Sequence, residues 1–247
     1  MSTELSTRVA IVTGGSRGIG RGIVRRLAAQ GYAVVVSYAS NADEAAAAVK
    51  EAAEAGAEAT AFQADVADEV AVADMFAEAE SRFGGVDVVV HAAGRMLLGT
   101  IEQTDLDEFD ALFRTNVRGS FVVAQQAARH AREGGSIQLF SSEATGASLP
   151  GYGVYTATKA AVEAMTLILA RELRGRNVTV NTIAPGLTAT DMLLENQTEE
   201  SLAEGAAAAP LERLGEVAGI AAVAEFLASP EGHWVNGQTV HANGGLV

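Results

Sequence analysis

The 247-residue chain has no cysteine, only two lysines and no apolar run of membrane-spanning length. Without cysteine there is no disulfide framework, thiolate zinc site or cysteine nucleophile, and the absence fits a reducing compartment. No spanning helix is expected, so no membrane partner is either. The stretch Met1-Ser2-Thr3-Glu4-Leu5-Ser6-Thr7 lacks the basic and apolar regions of a signal peptide, which makes the cytoplasm the expected location. Basic residues are also scarce. Seventeen against 31 acidic residues leave a formal charge of −14, which repels a phosphate backbone and gives no reason to expect nucleic-acid binding. An anionic ligand must therefore find a local positive site. No Pro/Gly/Ser-rich linker divides the chain, so residues 1–247 read as one domain.

What is present is a large apolar fraction, 49%, and 26 glycines, more than helices and strands need. Six short apolar or β-branched runs recur, at 8–13, 32–37, 58–63, 86–91, 136–141 and 177–183, as suits parallel strands buried on both faces. Helical periodicity fills the gaps, for example at 18–30, 43–55 and 69–82, and a seventh strand is expected after Gly237, beyond a helix over 216–228. The alanine runs 45–48 and 206–209 read as filler. Strand and helix in regular alternation imply right-handed crossovers and a doubly wound α/β sheet of about seven parallel strands flanked by helices.

After the first strand the chain reads Thr13-Gly14-Gly15-Ser16-Arg17-Gly18-Ile19-Gly20 and runs on into a helix. A glycine turn there brings backbone N–H groups and a helix N-terminus against a pyrophosphate. A glycine cluster alone would be a weak sign; its place between a buried strand and a helix strengthens it. The spacing Gly14-x3-Gly18-x-Gly20 resembles the short-chain dehydrogenase/reductase family, a single-domain Rossmann-type fold. The resemblance implies that Asp65-Val66, after the third strand, holds the adenine. It also implies that Ala93-Gly94 passes beside the adenosine ribose. The family has two asparagines before that Ala-Gly; here His91-Ala92 stands instead, so the asparagine bonds between strands are not expected, and His91 reads as a buried structural residue. The second strand ends Ser37-Tyr38-Ala39-Ser40-Asn41, with no carboxylate for a ribose diol. A 2′-phosphate would be welcomed by Ser37, Ser40, Asn41 and above all Arg17, so NADP(H) is the expected cofactor. Ser40-Asn41 also reads as a helix N-cap.

Tyr155-Thr156-Ala157-Thr158-Lys159 opens a long helical segment and sets Tyr155 and Lys159 one turn apart on one face. With four tyrosines and two lysines, such spacing arises by chance in roughly 3% of cases, so it gains force only from the glycine turn. A phenol titrates near pH ~10, and proton transfer near neutrality would need it lowered by ~3 units, or ~4 kcal/mol. An ammonium about 4 Å away at an effective dielectric of ~20 supplies an energy of that order.

Ser142, thirteen residues before Tyr155, matches the family's serine, with Ser141 as its competitor. Asn116 matches its fourth residue, implied to bend a helix and hold a water; a plain helix irregularity is the alternative. Pro185-Gly186-Leu187-Thr188-Ala189-Thr190 matches the segment over the nicotinamide carboxamide. The resemblance runs from about Arg8 to Gly245. It implies hydride transfer between nicotinamide and a carbonyl or alcohol carbon. In this scheme Tyr155 carries the proton, Ser142 polarises the oxygen, Lys159 lowers the phenol pKa and grips the ribose, and Asn116 relays protons. That chemistry calls for no metal.

Among family members the chain looks most like 3-oxoacyl-[acyl-carrier-protein] reductases, which implies a ketone on a carrier or CoA thioester. Arg129 and Arg171 fall near where carrier contacts occur. A substrate lid is expected over 187–210, with Met192, Leu193 and Leu194 inside an acidic rim of Glu195, Glu199, Glu200 and Glu204. That rim suits a free ketone, sugar, quinone or steroid better. A non-catalytic NADP-binding regulator is the reading from another class. The helices around 121–132 and 154–174 are expected to pack against symmetry mates in a homotetramer, with Ala157, Ala160, Ala161 and Ala164 allowing close approach.

Overall fold

The computed structural model describes residues 7–247, so the N-terminal stretch read for a targeting signal lies, apart from Thr7, outside the described residues. Seven parallel strands form one sheet in the order β3-β2-β1-β4-β5-β6-β7: β1 (Val9–Thr13), β2 (Ala33–Tyr38), β3 (Ala59–Gln63), β4 (Val86–His91), β5 (Ala131–Phe140), β6 (Thr179–Pro185) and β7 (Thr239–Ala242). The order reverses between β1 and β4, and a crevice at such a switch point is where open α/β sheets bind ligands.

Alternation explains the unbroken apolar strands. Val9 and Ile11 face one core with Val35, Met75, Phe76 and Ile137, while Ala10 and Val12 face the other with Ile23, Leu27, Val34 and Leu227. Each side chain of this size contributes about 1.5–3 kcal/mol on burial, and both sheet faces collect it. The first core lies under α3 (Glu69–Phe83), α5 (Gly119–His130) and α7 (Gly153–Glu172); the second lies under α1 (Gly18–Ala29), α2 (Ala42–Glu54) and α10 (Val217–Ala228). Edge strands β3 and β7 are only partly covered, which corrects the expectation of strands buried throughout.

The fifth strand begins five residues before its expected start. Val86 pairs with Ala131 and Val88 with Ser136, so residues 132–135 bulge opposite Asp87, where the Arg132 guanidinium closes on the Asp87 carboxylate. Gly134, at φ +79°, takes the left-handed turn that this detour needs. The sixth strand starts and ends two residues later than expected, because Asn177 stands at φ +54° in the turn before it. Between β4 and α5 run α4 (Leu106–Phe113) and a π-helical turn, Arg114–Arg118, while α6 (Ala144–Ala147) precedes α7. The segment 187–210 holds α8 (Asp191–Leu194) and α9 (Glu199–Ala208).

Candidate active site

The carboxyl ends of the strands open into one cavity of about 580 Å³, within the range of small-molecule sites. Its floor at one end is the glycine turn. Gly14 and Gly18 hold φ of +66° and +53°, and a Cβ on Gly14 would lie 2.9 Å from the Ala93 backbone, so chain and cavity leave no room for a side chain there. The α1 N-terminus has no side-chain cap and no acidic residue in its first turn. By contrast, Asn41, Asp68 and Asp105 cap α2, α3 and α4 with their side chains. The open N–H groups of α1 therefore suit an anion, and the residues fit a dinucleotide pyrophosphate.

Every cofactor residue expected from sequence lines this cavity: Gly14, Ser16, Arg17, Gly18, Ile19, Gly20, Ser37, Ser40, Asn41, Asp65, Val66, Ala93, Gly94, Pro185, Gly186, Thr188 and Thr190. Their side chains are not all free. The Asn41 Oδ1 accepts the Glu44 N–H at 3.1 Å, so the N-cap reading holds for that residue. Asp65 accepts the Ala67 N–H at 2.9 Å and pairs with Arg114 at 2.5 Å, which commits both carboxylate oxygens. Arg17 is exposed and enters no ion pair among the described residues, while Ser37 is buried with its carbonyl accepting the Gly15 N–H at 3.0 Å.

Ser142, Tyr155 and Lys159 meet at the other end, all buried. Helix α7 carries the tyrosine and lysine on one face, and the Lys159 ammonium lies 5.7 Å from the Tyr155 ring centroid and donates to the Phe140 carbonyl at 2.9 Å. The two serines are separated clearly. Ser141 lines the cavity but donates its hydroxyl to Glu163 at 2.5 Å, whereas Ser142 faces Tyr155 and donates to Glu143 at 3.1 Å. Thr145 also donates to Glu163, at 2.9 Å, so one carboxylate on α7 ties down both sides of the Ser142 turn.

One electrostatic expectation needs correction. Burial pushes the Tyr155 phenol above its ordinary value; the Ser142 hydroxyl opposes this, and the nearby Glu143 and Tyr152 add to it. The ammonium does not reverse the shift, because it sits on the Phe140 carbonyl and is itself pushed down to about 8 by burial. Asn116 lies in the π-helical turn, so it does mark a helix irregularity. Its amide is committed to Arg95, accepting that N–H at 2.9 Å and donating to the carbonyl at 2.9 Å, with Thr158 Oγ1 at 3.1 Å. It does not line the cavity, and its side chain acts as a clamp between the β4 exit and α7.

The cross-strand link thought lost with the asparagines is partly replaced: His91 Nδ1 lies 2.8 Å from Thr13 Oγ1. The ring is 1% exposed and held neutral, its pKa pushed to about 3 by burial and then by Lys159. Sequence reasoning missed Arg95, Met96 and Glu143 in the cavity wall. Only Glu143 carried a signal, a charge set directly beside Ser142 at the end of a buried strand.

A family model described as enoyl-(acyl carrier protein) reductase matches residues 14–247. A short-chain type dehydrogenase/reductase of Picea abies is 44% identical over 253 residues, spanning 98% of this chain and 93% of that one. The chain belongs to the short-chain dehydrogenase/reductase family. An NADPH-dependent aldehyde reductase-like protein, chloroplastic, of Arabidopsis thaliana is 40% identical over 98% of this chain and 95% of its own length. A short chain dehydrogenase from Burkholderia cenocepacia, solved in complex with NADP, superposes with a TM-score of 0.92 at 38% identity, covering 98% of each chain. Among the described residues, no helix of this family member is long and apolar enough to cross a membrane.

Proposed function

We propose that this chain is an NADP(H)-dependent carbonyl reductase, with Ser142, Tyr155 and Lys159 as its catalytic residues. The observation that carries the reading is a single cavity with the open α1 N-terminus at one end and these three buried side chains at the other. The NADP and NADPH named for the relatives, the unpaired Arg17 and the lack of a carboxylate at the end of β2 support the 2′-phosphorylated cofactor. Gly14, Gly18 and Gly20 with the α1 N–H groups would hold its pyrophosphate, Arg17 and Ser37 its 2′-phosphate, and Lys159 its ribose. When bound, the nicotinamide supplies a hydride.

The residues supply the rest. Ser142 donates a hydrogen bond to the carbonyl oxygen and polarises it, and Tyr155 delivers the proton that turns the developing alkoxide into a hydroxyl. Asn116 positions the backbone around Arg95, and Glu163 fixes the Ser142 turn. The segment 187–210 acts as the substrate lid. It puts Leu187, Met192 and Leu193 into the cavity wall and is latched by Gln197, which donates to the Tyr152 hydroxyl at 2.5 Å.

The buried acid at Glu143 favours a free ketone or aldehyde. A 3-oxoacyl thioester is the second reading, favoured by Arg129 and Arg171, both exposed and without ion pairs among the described residues. A cytoplasmic homotetramer completes the proposal: Ala157, Ala160, Ala164, Leu167 and Ile168 on α7 and Phe121 on α5 stand exposed. Loss of NADPH absorbance with a panel of ketones, aldehydes and a 3-oxoacyl thioester tests the reading. No oxidation with any of them, despite tight NADPH binding, would favour a regulator instead.

A further inference from the structure

Glu143 is 4% exposed, lines the cavity and follows Ser142 directly. Its Oε2 accepts the Ser142 hydroxyl at 3.1 Å, and its backbone N–H is fixed to the Pro185 carbonyl at 3.0 Å. No Arg, Lys or His pairs with it among the described residues, and the Ser142 hydroxyl is the one side chain that donates to it. A carboxyl buried without a counter-charge is costly unless a ligand supplies donors to it. Its charge is felt at both Tyr155 and Tyr152, and Tyr152 is the lid's latch, so the carboxyl lies on the substrate side of the site.

Resting on the carbonyl-reductase reading, we infer that Glu143 is a specificity-determining residue that recognises a hydroxyl on the carbon next to the reacting carbonyl, so that the substrate class is α-hydroxy ketones and aldehydes. The distance decides the placement. Ser142 has one hydroxyl proton, so donating it to the carbonyl oxygen takes it from Glu143 Oε2 and frees that oxygen for a substrate donor within about two bonds of the carbonyl carbon. Burial pushes the Glu143 carboxyl above its ordinary value. A hydroxyl pairs with either protonation state, accepting from the acid or donating to the carboxylate, whereas an ammonium pairs only with the carboxylate.

The test compares kcat/KM for matched pairs, butanone with acetoin and acetophenone with its α-hydroxy derivative, in the wild-type protein and in Glu143→Leu. Glu143→Ala serves as second variant should the larger side chain disturb folding, and an NADPH fluorescence titration confirms the cofactor end of each. The wild-type protein should prefer the hydroxylated member. The variants should lower the hydroxylated-to-plain ratio by about 10- to 100-fold, the range for a hydrogen bond to an ionisable group. A ratio within about threefold of wild type in the folded variants overturns the inference and leaves the reductase reading standing. If the wild-type protein turns over no member of any pair but reduces another ketone, aldehyde or 3-oxoacyl thioester of the panel, the inference falls and the reductase reading stands; if nothing in the panel is reduced, both fall.

Discussion

His91 is expected to make the chain acid-labile. Its ring is fully enclosed at the end of β4, Nε2 has no partner among the described residues, and Lys159 presents a further positive charge. The imidazole pKa falls from 6.5 to about 3. A depressed value means that the unfolded chain takes up the proton first, so the stability is fully present above about pH 6.5 and is lost as pH falls towards 3. The whole shift corresponds to about 5 kcal/mol, and the part lost by pH ~5 is about 2 kcal/mol. His91→Asn removes the titrating ring and restores the residue type the family carries there. Urea unfolding at pH ~7.5 and ~5 should show the wild-type protein losing about 2 kcal/mol more than the variant over that interval. Parallel losses in the two proteins, or a His91 proton resonance that titrates above pH ~5, would refute the reasoning.

Tyr155→Phe should cut turnover by at least about 10²-fold and leave NADPH affinity, read by fluorescence, nearly intact, because the phenol is the proposed proton donor and the glycine turn the proposed holder of the dinucleotide. Lys159→Met should abolish turnover and weaken NADPH binding while raising stability. Burial lowers the ammonium from 10.5 to about 8, an expense of about 3 kcal/mol at neutral pH, against about 1 kcal/mol for the lost bond to the Phe140 carbonyl; a fall in melting temperature would count against this. Ser37→Asp should shift preference from NADPH towards NADH, since a carboxylate at the end of β2 repels a 2′-phosphate and accepts from a ribose hydroxyl; unchanged kcat/KM ratios would reject the placement. Light scattering at micromolar concentration should give a tetramer, and a monomer would refute the exposed α7 face as an interface.

The fold was legible because its two signals, apolar runs and glycine punctuation, are local. Val9–Thr13 reads as buried on both faces since neighbouring residues enter different cores. The irregularity at Asn116 was legible only through the family resemblance, and the detour before β5 was not legible at all. The detour at 132–135 depends on Arg132 meeting Asp87, 45 residues away, and the π-helical turn at Asn116 depends on the backbone of Arg95. In the site, spacing could propose Ser142 but could not separate it from Ser141. Only the position of Glu163, one turn beyond Lys159, shows which hydroxyl is spent elsewhere. The sign of the Tyr155 shift was hidden for a similar reason. A pairwise estimate included the ammonium but not the enclosure of the ring, and burial outweighs one charge whose nearest acceptor is a carbonyl.

That enclosure bears on the direction of the reaction. A phenol held above its ordinary value keeps its proton across the whole physiological range, so the resting site presents a donor. Arrival of a hydride at a carbonyl carbon leaves an alkoxide, a far stronger base than any phenolate, so a raised phenol pKa still permits the transfer. Alcohol oxidation needs the opposite: a phenolate ready to take the hydroxyl proton, a state that burial and the neighbouring Glu143 both oppose. Lys159, on the Phe140 carbonyl, does not offset this, and its own depressed value weakens its charge as pH rises through about 8, well before a phenolate forms. On the proposed carbonyl-reductase reading, the desolvation that perturbs Tyr155 and Lys159 in opposite senses favours proton donation to an alkoxide over proton removal from an alcohol.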